Sequence, residues 1–314
     1  MCNDLLMKNK LKLILHQHPW AIWILIFIIT LLWGYAWVYM KQGLEYMGPF
    51  TFSALRFGTG SITMLLVLLL TRAGLPDKRH WKHLAILGFL QTTVVFLLVM
   101  YALYFVGAGK SSVLLYSMPV WSSLLAVKFL AEKLTTAKSA GLVLGFIGLL
   151  TILGWDIWIG QGPGIIVGEL LIIISAISWG IANIYYRLKL QELPQLQVNT
   201  WQMVFGTVGI LIAALFMEWG EPITLNSQSI YYILFTGVLA SALCFTVWFI
   251  ILRLIDMVTA TISTLLVPVF GLSLSWLILD EALTVNILIG SGLILIGIVV
   301  ANKRNTSGSV GQRE

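Results

Sequence analysis

Residues 31–57 read LLWGYAWVYMKQGLEYMGPFTFSALRF, and residues 177–203 read ISWGIANIYYRLKLQELPQLQVNTWQM. Laid side by side, Trp33-Gly34 falls on Trp179-Gly180, Tyr39 on Tyr185 and Lys41 on Arg187. A second pair of stretches follows. Residues 119–135, PVWSSLLAVKFLAEKLT, match residues 268–284, PVFGLSLSWLILDEALT. Pro119, Glu132, Leu134, Thr135, Gly141 and Gly148 thereby recur as Pro268, Glu281, Leu283, Thr284, Gly290 and Gly297. Two matches in the same order make the chain an internal duplication.

The sequence around these motifs is almost continuously apolar. Apolar runs fall at about 20–40, 49–70, 83–105, 109–130, 136–153, 164–186, 198–218, 230–252, 258–279 and 285–301, close to the roughly 20 residues that cross a bilayer. Each copy of the duplication therefore holds five runs. Because five is odd, the second copy enters the membrane from the opposite side. The expected fold is all-α: a polytopic membrane protein of ten transmembrane helices in two inverted five-helix repeats. The expected division is a basic tail at 1–19, a first repeat at 20–153, an outer linker at 154–163, a second repeat at 164–302 and a tail at 303–314.

Composition agrees. The chain has 314 residues, of which 59% are hydrophobic and 10% charged, where a soluble domain carries about a quarter charged. The net charge of +6 does not point to nucleic acid, because the basic residues are scattered through loops and form no stripe. Cys2 and Cys244 make no metal or disulfide framework. The first apolar run follows Lys8, Lys10 and Lys12 but is too long for a signal peptide core and has no A-x-A site after it, so it reads as a retained helix.

Positive residues in short loops stay on the cytoplasmic side. A cytoplasmic amino terminus puts Arg72, Lys78, Arg79, Lys82, Lys133, Lys138, Arg187, Lys189, Arg253, Lys303, Arg304 and Arg313 inside as well, and leaves Lys41 and Lys110 outside. The outer loops then hold Glu45, Asp156, Glu218, Glu221, Asp280 and Glu281. The expected location is the plasma membrane, with both termini cytoplasmic.

The WG pair with KQGLEYMGPFTFSALRF after it, the mid-helix proline followed by AEKLT or DEALT, and GEL...SAISWG at the start of the second half resemble the drug/metabolite transporter superfamily, in its EamA group. The resemblance covers about residues 20–302. It implies ten helices, a central cavity open to one side at a time, and export of amino acids or other small metabolites. Import or exchange of an organic anion is the competing transport reading, and a membrane-embedded lipid-handling enzyme the competing class.

Enzyme signatures are missing from the sequence. His16, His18, His80 and His83 all lie in the tail or one loop, and neither H-E-x-x-H nor G-x-S-x-G occurs. GAGKSS at 107–112 falls short of a phosphate-binding loop, which needs glycine where Tyr104 stands. Asn305-Thr306-Ser307 is a sequon on a tail expected to be cytoplasmic. No catalytic residue, cofactor or metal is expected. The expected partners are a small-molecule substrate and the lipid bilayer.

Candidate cavity residues are those on duplicated faces that also carry polar atoms. Trp33 and Trp37 share a helical face, and their repeat partners are Trp179 and Asn183. Ser112, Tyr116 and Pro119 share another, matched by Thr261, Leu265 and Pro268; Gln91 and Ser241 add polar atoms from the third and eighth runs. For each, helix packing or an interhelical hydrogen bond is the competing reading. Pro119 and Pro268 are expected to kink their helices beside the cavity. Lys110 reads either as an attractant for carboxylates at the outer mouth or as a lysine reaching the headgroups. Glu169 could carry a coupling proton or sit near the interface. Arg56, about 10 Å inside the second helix by helical rise, is expected to make a structural ion pair or to snorkel. Gly141, Gly145 and Gly148, with Gly290 and Gly297, form small-residue faces for packing within the chain or for a homodimer.

Overall fold

The computed structural model describes residues 19–132, 134–153, 162–279 and 285–301. The amino-terminal tail, Lys133, the linker around Asp156, the turn with Asp280, Glu281, Leu283 and Thr284, and the carboxy-terminal tail with Asn305 lie outside the described residues.

All described regular structure is helical. Eight helices are long and apolar enough to span a bilayer: α1, Pro19–Gly43; α2, Pro49–Leu70; α3, Lys78–Ala102; α4, Ala108–Phe129; α6, Pro163–Lys189; α7, Gln195–Met217; α8, Ser227–Leu254; and α9, Met257–Leu279. Two shorter apolar helices, α5 at Thr136–Leu153 and α10 at Val285–Ala301, complete the described set. The outer surfaces are apolar too. Ile62, Leu69 and Leu70 of α2, Phe216 of α7 and Leu288 and Val299 of α10 are exposed, as a lipid-facing wall requires and a water-facing one does not tolerate.

Local sequence explains where the helices begin. Gly48-Pro49 and Gly162-Pro163 open α2 and α6 with proline in the first turn, where its missing N–H costs nothing. Asn226 and Ser229 form a reciprocal capping box at the start of α8. The Glu218 carboxylate accepts the N–H groups of Phe50 at 2.9 Å and Thr51 at 2.7 Å, and so caps α2 from the end of α7.

The packing pairs come in matched sets. α1 packs on α9 and α6 on α4; α2 packs on α8 and α7 on α3; α2 meets α7, and α5 meets α10. The WG glycines explain the first set. A Cβ on Gly34 would lie 2.7 Å from Cβ of Phe270 in α9, and one on Gly180 would lie 3.2 Å from Cβ of Trp121 in α4. The duplicated glycines of α5 and α10 face each other: a Cβ on Gly141 would fall 2.5 Å from the Gly297 carbonyl, and one on Gly148 2.6 Å from that of Gly290. These faces are therefore consumed within the chain.

Four helices are irregular. α3 widens to π-helical turns over Phe89–Val94, and α8 over Phe235–Leu243. α4 is broken at Tyr116 and Ser117 just before Pro119, and α9 at Thr264 and Leu265 just before Pro268. At both breaks i→i−3 bonds take over, with Ser117 N–H donating to Leu114 at 3.1 Å and Val267 N–H to Thr264 at 2.9 Å.

Candidate functional site

α1 and α6 bring the two WG tryptophans together. The rings of Trp33 and Trp179 meet edge to face, with centroids 6.1 Å apart. Phe245 and Trp248 of α8 stand 5.9 and 6.0 Å from Trp33, and Phe57 lies 4.5 Å from Phe96. Neither tryptophan is more than 5% exposed. Trp33 Nε1–H donates to the Ala240 carbonyl at 2.9 Å, a group presented by the π turns of α8. Trp179 Nε1–H has no partner among the described residues.

A cavity of about 20 Å³ opens beside this pair. Trp33, Trp37 and Met40 of α1 line it, with Arg56 of α2, Phe96 of α3, Tyr116 of α4 and Trp179 of α6. That volume holds about one water molecule. Larger recesses lie at the two ends of the bundle. One of about 410 Å³ is formed by the α1–α2 turn with Glu218 and Glu221; the other, of about 500 Å³, by His80, Arg187, Glu192 and Arg253.

Arg56 departs from expectation. It is 2% exposed, so it does not snorkel, and among the described residues no carboxylate lies within 4 Å, so it makes no ion pair. Instead Nε–H donates to Ser241 Oγ at 3.0 Å and to the Thr236 carbonyl at 3.3 Å, while Nη1 points at Met40 Sδ, 2.7 Å away. The guanidinium carbon sits 4.8 and 4.6 Å from the ring centroids of Phe57 and Phe96. Helical rise gave the depth of Arg56 but not its neighbours, which come from α1, α3 and α8.

Of the other candidates, Trp33, Trp37, Tyr116 and Trp179 reach the cavity, and Ser241 holds Arg56. Gln91, wholly buried in the π turns of α3, has no partner at either end of its amide among the described residues. Asn183 accepts from Trp248 Nε1–H at 3.3 Å and faces Met118, and so serves packing. Ser112 and Thr261 donate to carbonyls of their own helices, at 2.7 and 2.8 Å, and do not line the cavity. Lys110 and Glu169 form an ion pair between α4 and α6, so Lys110 is not a lone cation and Glu169 not a lone acid. At the opposite end Arg187 of α6 pairs with Glu132, just past the end of α4, at 3.5 Å, and donates to the Ile255 carbonyl. Arg56, Met40 and Phe96 were missed as lining residues. The depth of Arg56 was a usable signal, whereas nothing distinguished Phe96 from the other aromatic residues.

A helical bundle with an apolar exterior and at least eight membrane-length helices is a multi-pass membrane protein. The EamA-like transporter family model matches residues 20–154 and again 166–303, and the chain belongs to that family, within the drug/metabolite transporter superfamily. It is a transporter and not an enzyme. An uncharacterized transporter of Bacillus subtilis, YoaV, is 35% identical over 271 residues, covering 86% of this chain and 92% of the relative. A protein of Salmonella typhimurium named a probable amino-acid metabolite efflux pump is 24% identical, covering 87% and 92%. A solved crystal structure superimposes with a TM-score of 0.72 at 20% identity, over 90% of this chain and 96% of that one, which shows the shared fold.

Proposed function

We propose that this chain is a secondary transporter that exports small organic metabolites, amino acids among them, by alternating access around the cavity between Trp33 and Trp179. The observation that carries the reading is a small, aromatic centre of buried residues flanked by a larger recess at each end. A cavity of about 20 Å³ cannot hold a metabolite, so the centre must open, and the breaks in α4 and α9 are where helix halves can tilt. The name of the Salmonella relative supports the substrate class.

In this reading all ten apolar helices cross the membrane, as a first repeat at 20–153 and an inverted second repeat at 164–302. Exchange of each helix for the one five places on maps the packing pairs onto one another, which supports the inversion. The chain lies in the plasma membrane with both termini cytoplasmic, and the end bearing Arg72, Arg79, Arg187 and Arg253 faces the cytoplasm. A single cysteine near Glu221 then reacts with an impermeant thiol reagent added to intact cells, and one near Arg79 does not. The decisive experiment is flux: purified protein in proteoliposomes, loaded with a panel of amino acids and related metabolites, releases at least one faster than empty vesicles do. Vesicles that release nothing from a broad panel rule the reading out.

A further inference from the structure

Arg56 is a buried cation with no anion beside it among the described residues. Burial in a membrane-spanning helix penalises its charge heavily, and the usual compensation, a carboxylate, is missing among the described residues. Its donors are also unevenly used. Nε–H is occupied, Nη1 meets a thioether, which is a weak acceptor, and Nη2 makes no hydrogen bond among the described residues. The guanidinium nevertheless lines the cavity, and aromatic rings and aliphatic chains make up most of the remaining wall.

We infer that Arg56 is the anchor for the carboxylate of a monoanionic substrate whose other end is aromatic or apolar. The inference rests on the transport reading and names the substrate class of the same site. A carboxylate matches the planar fork of the guanidinium with two parallel charge-assisted bonds, and would replace the sulfur contact of Met40, whose unbranched chain can swing aside. One cation serves one carboxylate, and among the described lining residues no acid is present to pair an ammonium. An α-amino group is therefore not required. The organic-anion chemistry that the sequence attached to Lys110 belongs to Arg56, since Lys110 is already paired with Glu169.

The test uses full-length protein with phenylacetate, indole-3-acetate and hexanoate, each beside its uncharged amide, together with phenylalanine and 2-phenylethylamine. Ligand-induced thermal stabilisation and quenching of tryptophan emission report binding, and proteoliposome flux reports transport. At least one of the carboxylates binds, its amide and the amine do not, and phenylalanine binds no tighter than phenylacetate. Arg56→Met weakens carboxylate binding at least about tenfold, the loss expected for charge-assisted hydrogen bonds. The melting temperature of the unliganded variant holds or rises, because an uncompensated charge has gone. A merely structural arginine gives the opposite result: a lower melting temperature with binding intact. Arg56→Lys keeps the charge without the fork, loses less affinity than Arg56→Met, and carries the test should that variant not fold. Amides that bind as well as carboxylates, or carboxylate binding indifferent to Arg56, overturn the inference while leaving transport standing. Arg56-dependent binding without flux supports the anchor and removes the transport reading instead.

Discussion

Arg56 and Gln202 occupy the same place in the two aligned stretches of sequence, and their surroundings differ in kind. Gln202 is wholly buried and satisfied, donating to Asn199 Oδ1 at 3.1 Å and accepting from Thr92 Oγ1 at 2.8 Å. Arg56 is as deeply buried but leaves part of its donor fork facing the cavity. The tryptophans show the reverse contrast, since Trp33 Nε1–H is bonded and Trp179 Nε1–H has no partner among the described residues. The cavity itself is lopsided, because among its described lining residues Trp179 is the sole contribution of the second half. Duplication thus preserved how the halves pack and released the chemistry of one half from that of the other.

The largest effect should come from erasing the contrast at its root. Gln202→Arg buries a second cation where the hydrogen bonds to Asn199 and Thr92 are already made, at a cost above about 3 kcal/mol, whereas Arg56→Gln costs less than about 1 kcal/mol. Thermal denaturation in detergent measures both, and equal losses would mean that the two sites are alike after all. The WG glycines give the next effect. Gly34→Ala forces α1 away from Phe270 and costs about 1–3 kcal/mol, while Gly180→Ala, with its looser 3.2 Å approach to Trp121, costs about 1 kcal/mol or less. If Gly180→Ala proves the more damaging, the two helix crossings have been ranked wrongly.

A smaller difference separates the tryptophans. Trp33→Phe should lose about 1 kcal/mol more than Trp179→Phe, because only the first change breaks a hydrogen bond and strands the Ala240 carbonyl. Comparable melting temperatures for the two variants would contradict this.

The smallest effect lies at the basic end. Burial pushes the Asp256 carboxyl up, but the Lys138 ammonium at 2.8 Å and the Thr259 N–H at 2.9 Å outweigh it and hold its pKa below the ordinary value. A depressed carboxyl stabilises the fold above its unfolded pKa of about 3.9, and that contribution fades as the pH falls through the lower folded value. The melting temperature of Asp256→Asn should therefore trail the parent at pH 7 by an amount equivalent to about 1 kcal/mol or less, and the gap should narrow in acid. A gap that widens in acid would reverse the sign of the argument.

Much of the fold was legible because membrane-spanning helices are written in long apolar runs. The expected runs near 49–70 and 258–279 agree with α2 at Pro49–Leu70 and α9 at Met257–Leu279. The breaks in α4 and α9 were foreshadowed by Pro119 and Pro268, whose rings cannot continue a helical ladder. The π turns of α3 and α8 were not, since no residue type in FLQTTV or FTGVLASAL demands them. Those turns carry Gln91 and Ser241, and Ser241 bonds both Arg56 Nε–H and, five residues back, the Thr236 carbonyl.

The sequence by itself determined that this chain is a duplicated helical membrane protein, and that Trp33 and Trp179 hold equivalent places. Both properties follow from local composition and self-similarity, which need no knowledge of what packs against what. Tertiary structure alone decided the partners of the charges. Lys110 and Glu169, 59 positions apart, neutralise each other, while Arg56 finds Met40, Ser241 and two phenylalanine rings in place of an acid. Whether a buried charge is structural or free to meet a ligand depends on which helices surround it, and that is set by crossings between segments far apart in the chain.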